Sequence, residues 1–171
     1  MSPDSQPAPR RADARRNRDA LLAAAVEVIA EEGPDAPLDR IARRAGIGNA
    51  TLYRHFPTRR DLLVAVTAGE IDAVCGRADE LRAERAPGDA LFGWLELLCR
   101  HTSDYRELAA ALAGHGVGEG STEFAGWHSR LERTLSALLG AAVDAGAVRA
   151  DTTVADLLAL TSGIALAGLD G

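Results

Sequence analysis

The chain contains no lysine, so all 19 of its basic side chains are arginines. Aromatic residues make up only 4% of the 171 residues, and there are two cysteines, Cys75 and Cys99. Two cysteines are too few for a disulfide scaffold and favour a reducing compartment. Because aromatics are scarce, alanine, leucine and valine must fill the core, which favours helices over sheets.

Long hydrophobic runs are also missing, and none approaches the length of a membrane span. The apolar stretch 21–30 follows basic residues, as the core of a signal peptide would. Glu27 interrupts it, however, and Glu31 and Glu32 follow where a small-residue cleavage site is needed. The sequence therefore predicts a cytoplasmic protein with no membrane partner.

Metal-binding and catalytic patterns are absent as well. The histidines and cysteines show no short ligand spacing such as Cys-x-x-Cys. Glycines alternate along 114–120, as in some phosphate-binding loops, but no strand precedes them. Ser121 near His115 or His128 lacks the strand-turn-helix setting of a catalytic triad. We therefore predict no metal, no cofactor and no enzymatic activity.

The charge that is present divides unevenly along the chain. Residues 1–60 hold 11 arginines against 8 acids, whereas residues 61–171 hold 8 arginines against 17 acids. A basic end on an acidic body can bind a polyanion although the whole chain carries a net charge of −6. Arginine also suits bidentate contacts with phosphate and guanine.

The first 16 residues lack apolar periodicity and predict a disordered basic arm. Arginines cluster near its end: Arg10, Arg11, Arg15, Arg16 and Arg18. Such an arm is either a solvated tail or a segment that contacts the DNA backbone or minor groove. The sequence leaves both interpretations open.

The rest of the chain predicts an all-α fold without strands. The helices are expected at about 17–32, 37–45, 49–55, 58–84, 89–101, 105–114, 122–145 and 153–167. In the first helix, the expected buried stripe is Leu22, Ala25, Val26 and Ile29. Gly33 and Gly46 are expected to end the first and second helices, Gly46 with a positive φ. Capping boxes are expected at 58–61 and 153–156, and N-caps at Asp104 and Ser121.

Two short helices joined at 45–47 form a predicted helix-turn-helix. Leu52 and Phe56 are expected to face the core of this motif. Its second helix carries groups that suit phosphates and base edges: Asn49, Thr51, Tyr53, Arg54 and His55. A helix of this kind fits a DNA major groove.

The stretch 18–66 resembles the TetR family of bacterial transcriptional regulators. The shared features are the Ala-Glu-Glu-Gly ending of the first helix, Ile41-Ala42 followed by Ala-Gly-Ile at 45–47, the run Thr-Leu-Tyr-Arg-His-Phe-Pro at 51–57, and the Leu62-Leu63 pair. Beyond residue 75 the resemblance is only architectural, to a helical regulatory domain of variable sequence.

This resemblance implies a homodimer that places two recognition helices in successive major grooves of a pseudo-palindromic operator. A small-molecule effector in the second domain would release the DNA. We accordingly expect a disordered arm at 1–16, a DNA-binding domain at 17–60, and a helical ligand-binding and dimerisation domain at 61–171. Ligand-responsive repression is the predicted function.

The resemblance also assigns DNA contacts. Base edges would be approached by Asn49, Ala50 and Thr51, with Arg54 as the local candidate for guanine. Phosphates would be held by Tyr53, His55 and Arg59. Four residues depart from the family pattern. Pro37 supplies no hydroxyl to cap the second helix, and Asp39 places a carboxylate where DNA can lie. Gly48 and Asn49 replace the commoner polar and basic pair.

The large and polar-aromatic groups of the second domain are candidates for an effector pocket between the fourth, fifth, seventh and eighth predicted helices. They are Trp94, Leu98, His101, Tyr105, Phe124, Trp127 and His128. Ordinary core packing is the alternative for each of them.

The last predicted helix is apolar on most faces, so it must be buried on several sides. Its apolar residues are Leu157, Leu158, Leu160, Ile164 and Leu166. Packing against the same helix of a second subunit would bury them. Because TetR-like chains usually add one more helix here, we expect either a natural end beyond Gly171 or a smaller interface.

Two other functional classes remain open. An interaction protein could have kept the helix-turn-helix and lost specific DNA binding, as Asp39 and the acidic body would allow. A helical enzyme would need clustered polar groups in a cleft, and the sequence shows no such cluster.

Overall fold

A computed structural model describes residues 9–167 of the chain. The described residues form eight α-helices and no strand, which confirms the predicted all-α class. The helices are α1 Pro9–Glu32, α2 Leu38–Arg44, α3 Asn49–His55, α4 Arg59–Glu84, α5 Pro87–Asp104, α6 Arg106–Gly114, α7 Thr122–Asp144 and α8 Val154–Ala167. None of these helices is long and apolar enough to cross a membrane.

Helix α1 begins at Pro9, so the predicted disorder of residues 9–16 is wrong. Proline suits the first turn of a helix, and the alanines and arginines that follow are strong helix formers. Asp13 and Arg16 also form an ion pair one turn apart on this segment. Residues 1–8 of the predicted arm lie outside the described residues.

The buried face of α1 differs from the predicted stripe. Leu21, Ala25 and Val28 are 0% exposed, whereas Leu22, Val26 and Ile29 are only half-buried. Apolar side chains occupy almost every position from 21 to 29, so helical periodicity alone does not select a face. Packing against α2 and α3 selects it instead.

The chain divides into two compact units, with the division between Val66 and Thr67 rather than at the predicted boundary after residue 60. The division falls inside α4. Its first two turns contribute Leu62, Leu63 and Val66, each at most 2% exposed, to the N-terminal unit. Sequence reasoning placed the boundary at a helix start, but the burial of these three side chains moves it two turns further on.

The N-terminal unit is held by contacts of α1, α2 and α3 with one another. Leu52 and Phe56 are buried as predicted, and Ile41 lies beside them in the core at 1% exposure. The turns before and after α2 use Gly33 at φ 85° and Gly46 at φ 67°. Both values lie in the left-handed region that glycine adopts without strain, which confirms the predicted helix ends.

Both predicted capping boxes are present. The backbone N–H of Thr58 donates to Asp61 Oδ2 at 3.0 Å, and Asp61 N–H donates to Thr58 Oγ1 at 3.1 Å. Thr153 and Asp156 repeat the arrangement at 3.1 and 3.1 Å. These reciprocal bonds satisfy N–H groups that a helix start otherwise leaves without a partner.

The second unit is built around α5, which packs against α6, α7 and α8. Its core contains Trp94, Leu98, Leu135 and Leu138, and Trp94 is 0% exposed. The indole Nε1 of Trp94 donates to the backbone oxygen of Val74 at 2.9 Å, so its one polar group is satisfied. A buried tryptophan with a partner for its N–H is a stable core residue.

Helix caps in this unit agree with expectation at one site and not at another. Ser121 accepts a hydrogen bond from the N–H of Phe124 at 3.2 Å and caps α7 as predicted. Asp104 does not cap α6, because α5 continues through it. Tyr105 stands at the N-cap of α6 without a side-chain bond. Helix α5 therefore continues through Asp104, beyond its predicted end at about residue 101.

Within a single chain, helix α8 is less buried than its largely apolar sequence predicts. Leu160 is 60% exposed, and Leu157, Leu158 and Ile164 are half-buried, whereas Thr161 and Ala165 are buried. The predicted burial on several sides is therefore not achieved by one chain. The side chain of Leu166, which belonged to that prediction, lies outside the described residues.

Candidate nucleic-acid interface and effector cavity

Helix α3 carries most of the predicted DNA-contacting groups. Asn49, Ala50 and Arg54 are exposed, Tyr53 is 52% exposed, and Thr51 is half-buried. Residues three and four apart on a helix share a face, which places Ala50 beside Tyr53 and Arg54. Leu52 anchors the opposite side of the helix at 0% exposure. The turn at Gly46 and the buried Leu52 thus present one short polar face to solvent.

His55 lies differently from its neighbours. Its imidazole is half-buried, and Nε2 is buried without a hydrogen-bond partner among the described residues. The ring stands 6.4 Å from that of Phe56, centroid to centroid. A phosphate cannot reach an atom that solvent does not reach. The predicted phosphate contact therefore does not fit His55 Nε2 in this conformation.

Arg59 is anchored to its own protein. Its Nη1 donates to the backbone oxygens of Pro34 and Ala36, both at 2.8 Å. These carbonyls lie in the connection between α1 and α2, so the guanidinium fastens the start of α4 to that turn. A guanidinium has five N–H donors, and the remaining ones can still face a phosphate. Sequence reasoning assigned Arg59 the phosphate contact and missed the anchor.

A second contact that the sequence did not indicate joins Arg18 to Phe56. The guanidinium carbon of Arg18 lies 5.5 Å from the centroid of the Phe56 ring, within the range of a cation–π interaction. This arginine belongs to the predicted basic cluster. In the structure it packs on the aromatic ring at the end of α3.

The arginines of α2 are paired with acids. Arg44 bonds Glu27 at 3.0 Å and Glu31 at 2.7 Å. The hydrogen bond from Arg44 holds the pKa of the Glu31 carboxyl below its usual value. Arg40 pairs with Glu32 at 2.7 Å. Exposed pairs contribute little to stability, but they neutralise much of the basic face of α2.

Asp39, the carboxylate that departs from the family pattern, is also paired. Its Oδ2 lies 3.3 Å from Arg43 Nη2, one turn further along α2. Pro37 forms the N-cap of this helix without a side-chain hydrogen bond, as expected. Asp39 therefore supplies the negative charge that favours a helix start. Its ion pair reduces the repulsion that a bare carboxylate would exert on a phosphate.

The second unit contains a cavity of about 280 Å³. Five of the seven predicted pocket residues line it: Leu98, His101, Tyr105, Phe124 and Trp127. The sequence missed the contributions of Thr67 and Ile71 from α4, and those of α6 and the loop after it. The cavity lies among α4, α5, α6 and α7, so the predicted role of the eighth helix is wrong. The Leu108 and Leu112 pair, spaced i and i+4, was the available signal that α6 turns an apolar face inward.

The other two predicted pocket residues lie elsewhere. Trp94 is a core residue bonded to Val74, and it does not reach the cavity. His128 is exposed on α7, where Nε2 lies 3.2 Å from Glu132 Oε1 and the ring stacks on Phe124. Helical position decides both outcomes, because neither side chain points to the face of its helix that lines the cavity.

Two aromatic neighbours in the cavity wall carry polar groups. The rings of His101 and Tyr105 lie 4.5 Å apart, centroid to centroid. Burial lowers the pKa of His101, although Glu70 and Asp104 oppose the shift, so the imidazole is neutral at pH 7. Burial, a hydrogen bond to Glu70 and the nearby carboxylates raise the pKa of the Tyr105 hydroxyl. Both groups therefore enter the cavity as uncharged hydrogen-bonding partners.

Comparison with known proteins matches both units. A family model described as bacterial regulatory proteins of the tetR family matches residues 21–66. A second, described as the C-terminal domain of SbtR-like transcriptional regulators, matches residues 86–170. A solved TetR regulatory protein from Mycobacterium vanbaalenii is 41% identical, with 91% of this chain and 92% of that chain covered and a TM-score of 0.79. The chain belongs to the TetR family.

Other similar proteins are also transcriptional regulators. A TetR regulator from Streptomyces coelicolor is 37% identical, with 88% of this chain and 85% of that chain covered and a TM-score of 0.72. The repressor LfrR of Mycolicibacterium smegmatis is 35% identical over an alignment of 89 positions, and the match covers 42% of this chain and 47% of that protein. The regulator TtgW of Pseudomonas putida is 43% identical over 58 residues, or 33% and 43%. The chain thus spans about half the length of the curated relatives it matches.

Proposed function

We propose that this TetR-family regulator is a repressor that binds a pseudo-palindromic operator as a homodimer and releases it when a small molecule occupies the cavity of the second unit. The observation that carries the proposal is the exposed polar face of α3, formed by Asn49, Ala50, Tyr53 and Arg54 on a helix anchored by buried Leu52. The cavity of about 280 Å³ supports the ligand response. LfrR, a partial relative, is named a repressor.

The dimer is supported by the apolar surface that one chain leaves exposed. Leu160 on α8 is 60% exposed and Phe92 on α5 is 64% exposed. Apolar side chains of this size gain about 1.5–3 kcal/mol each when they are fully buried. Sedimentation equilibrium should give twice the 17.9 kDa mass of the chain. A single 17.9 kDa species at micromolar concentration would contradict the dimer.

DNA recognition is tested by titrating the protein against a duplex from the region upstream of its own gene, followed by fluorescence anisotropy. The logarithm of the binding constant should fall linearly with the logarithm of salt concentration, because phosphate contacts release counterions. A shuffled duplex of the same length serves as the control. Equal, weak binding to both duplexes would instead support an interaction protein without operator preference.

Substitutions can separate the proposed roles of Arg54, Tyr53 and Arg59 in DNA binding. Arg54→Ala should weaken operator binding, whereas Arg149→Ala should not, because Arg149 is an exposed arginine in the second unit that pairs with nearby Asp151. Tyr53→Phe combined with Arg59→Ala should weaken binding to all duplexes and lower the salt slope by about one for each phosphate that the variant no longer binds. Weaker binding with an unchanged slope would assign Arg59 to anchoring the turn alone.

A further inference from the structure

The chemical class of the effector can be argued from the cavity walls, an inference that rests on the proposed function. The lining is mostly aliphatic and aromatic, with Phe124 and Trp127 from α7 facing leucines of α5 and α6. Five lining side chains carry hydrogen-bonding groups: Thr67, His101, Thr102, Tyr105 and, through its indole N–H, Trp127. A small number of polar groups in an apolar wall is the usual composition of a small-molecule site.

Among the described residues, no arginine, aspartate or glutamate lines this cavity, and the chain has no lysine. His101 is kept neutral by burial, in spite of Glu70 and Asp104 nearby. The hydroxyl of Tyr105 bonds the carboxylate of Glu70, which does not itself line the cavity. An ionised ligand would therefore enter without a counter-charge in the wall, and a buried charge without a partner is strongly disfavoured.

The two threonines of the wall differ in one respect. Thr102 Oγ1 already donates to the backbone oxygen of Leu98 at 2.9 Å, within its own helix. Thr67 Oγ1 is buried and has no hydrogen-bond partner in the described structure. A buried hydroxyl without a partner costs free energy that a ligand can recover. Rotation about χ1 moves the hydroxyl to another staggered position on Cβ, so the oxygen can be turned toward the cavity that Thr67 lines.

Volume sets the size of the occupant. An apolar protein cavity of about 150 Å³ holds one benzene ring. The present cavity, at about 280 Å³, is nearly twice as large, and its aromatic walls favour a flat molecule. We infer that the effector is an uncharged, flat aromatic compound of about two fused rings with a single hydroxyl-sized polar group, which bonds Thr67.

Four probes with the same ring system test the inference on the full chain: naphthalene, 2-naphthol, 2-naphthoate and the 2-naphthylmethylammonium ion. Binding is measured at pH 7 by titration calorimetry. Naphthalene and 2-naphthol should bind at least about tenfold more tightly than either ion, because the ions gain no partner for their charge. The naphthol should exceed naphthalene by about two- to tenfold, the gain of one hydrogen bond. Tighter binding of either ion, or no binding of any probe, would overturn the inference.

The threonine pair supplies a matched control. Thr67→Val keeps the shape of the side chain and removes the unpartnered hydroxyl, so it should abolish the preference for naphthol over naphthalene. Thr102→Val should keep that preference, because its hydroxyl is already bonded to Leu98. Circular dichroism checks that both variants fold. A preference that survives in Thr67→Val, or is lost equally in both variants, would refute the assignment of Thr67.

The regulatory role is measured separately by adding 2-naphthol to the operator complex. Probe binding that follows the predicted order without any release of DNA supports the inference about the cavity and contradicts the proposed ligand response. Failure of all four probes, with operator binding intact, contradicts the ligand class and leaves DNA recognition standing. The two results are therefore distinguishable.

Discussion

The two units of the chain place their candidate functional groups on opposite sides of their helices. In the N-terminal unit, Asn49, Tyr53 and Arg54 are exposed on a seven-residue helix whose other side is anchored by buried Leu52. In the second unit, the candidate groups point inward to a cavity of about 280 Å³. An outward face can change without disturbing packing, whereas a cavity wall is also part of the fold. Function and stability should therefore separate more easily in the first unit than in the second.

The largest expected effect concerns the core beside the cavity. Trp94→Ala should lower the free energy of unfolding by about 3–5 kcal/mol, because it leaves a large void and removes the bond to Val74. Trp127→Ala, in the cavity wall, should cost less stability and should weaken the binding of 2-naphthol. Urea denaturation and calorimetry measure the two quantities. Equal destabilisation by both variants would break the distinction between core and wall.

A substitution on the exposed face of α3 should change DNA recognition without changing stability. Asn49→Ala should cost about 1–3 kcal/mol of discrimination at one base position and leave the urea midpoint unchanged, because the side chain is exposed. Titrations against a set of operators with single-base changes measure the discrimination. A uniform loss across all of them would remove Asn49 from the base-reading groups.

Each unit contains one capping box, so the same substitution can be compared in both units. Thr58→Ala and Thr153→Ala each remove a helix cap and should each lower the free energy of unfolding by about 0.5–2 kcal/mol. Only Thr58→Ala should also weaken operator binding, since α4 begins in the N-terminal unit beside the Arg59 anchor. Anisotropy titrations of both variants test this difference. An equal loss of DNA binding would show that stability alone controls affinity.

The smallest expected effect is a pH dependence in the second unit. Burial lowers the pKa of His101 below its ordinary 6.5, so the unfolded chain takes up its proton first as the pH falls. The His101 contribution to stability is complete above pH 6.5 and is lost as the pH drops through the lowered pKa, with a slope of at most about 1.4 kcal/mol per pH unit. Urea midpoints of wild type and His101→Gln between pH 7.5 and 5 measure it. An identical pH dependence in both proteins would refute this role.

The features that the sequence predicts closely have local signals. They are Gly46 in the turn, Leu52 and Phe56 in the core of the helix-turn-helix, and the capping box at Thr58. These features depend on residues a few positions apart. The predicted DNA contacts rest on the same local pattern and remain proposals.

The failures were non-local. The sequence analysis predicted Leu22 instead of Leu21 on the buried side of α1, because both lie in a nearly continuous apolar run. It grouped Trp94 with the cavity because residue type does not reveal which helix a side chain faces. The anchor of Arg59 joins residues more than 20 positions apart, and no spacing rule indicates such a bond.

Positions 59 and 49 also differ in how readily evolution can substitute another residue. Position 49 is exposed and holds nothing in place, so a duplicated gene could acquire a new promoter preference there by a single substitution that folding tolerates. Arg59 donates hydrogen bonds to two backbone oxygens. Every residue has a backbone oxygen, so a substitution at the partner positions leaves the acceptors in place and does not remove the need for arginine at position 59. Divergence among copies of this regulator should therefore accumulate on one narrow strip of α3, while the arginine that braces the turn stays fixed.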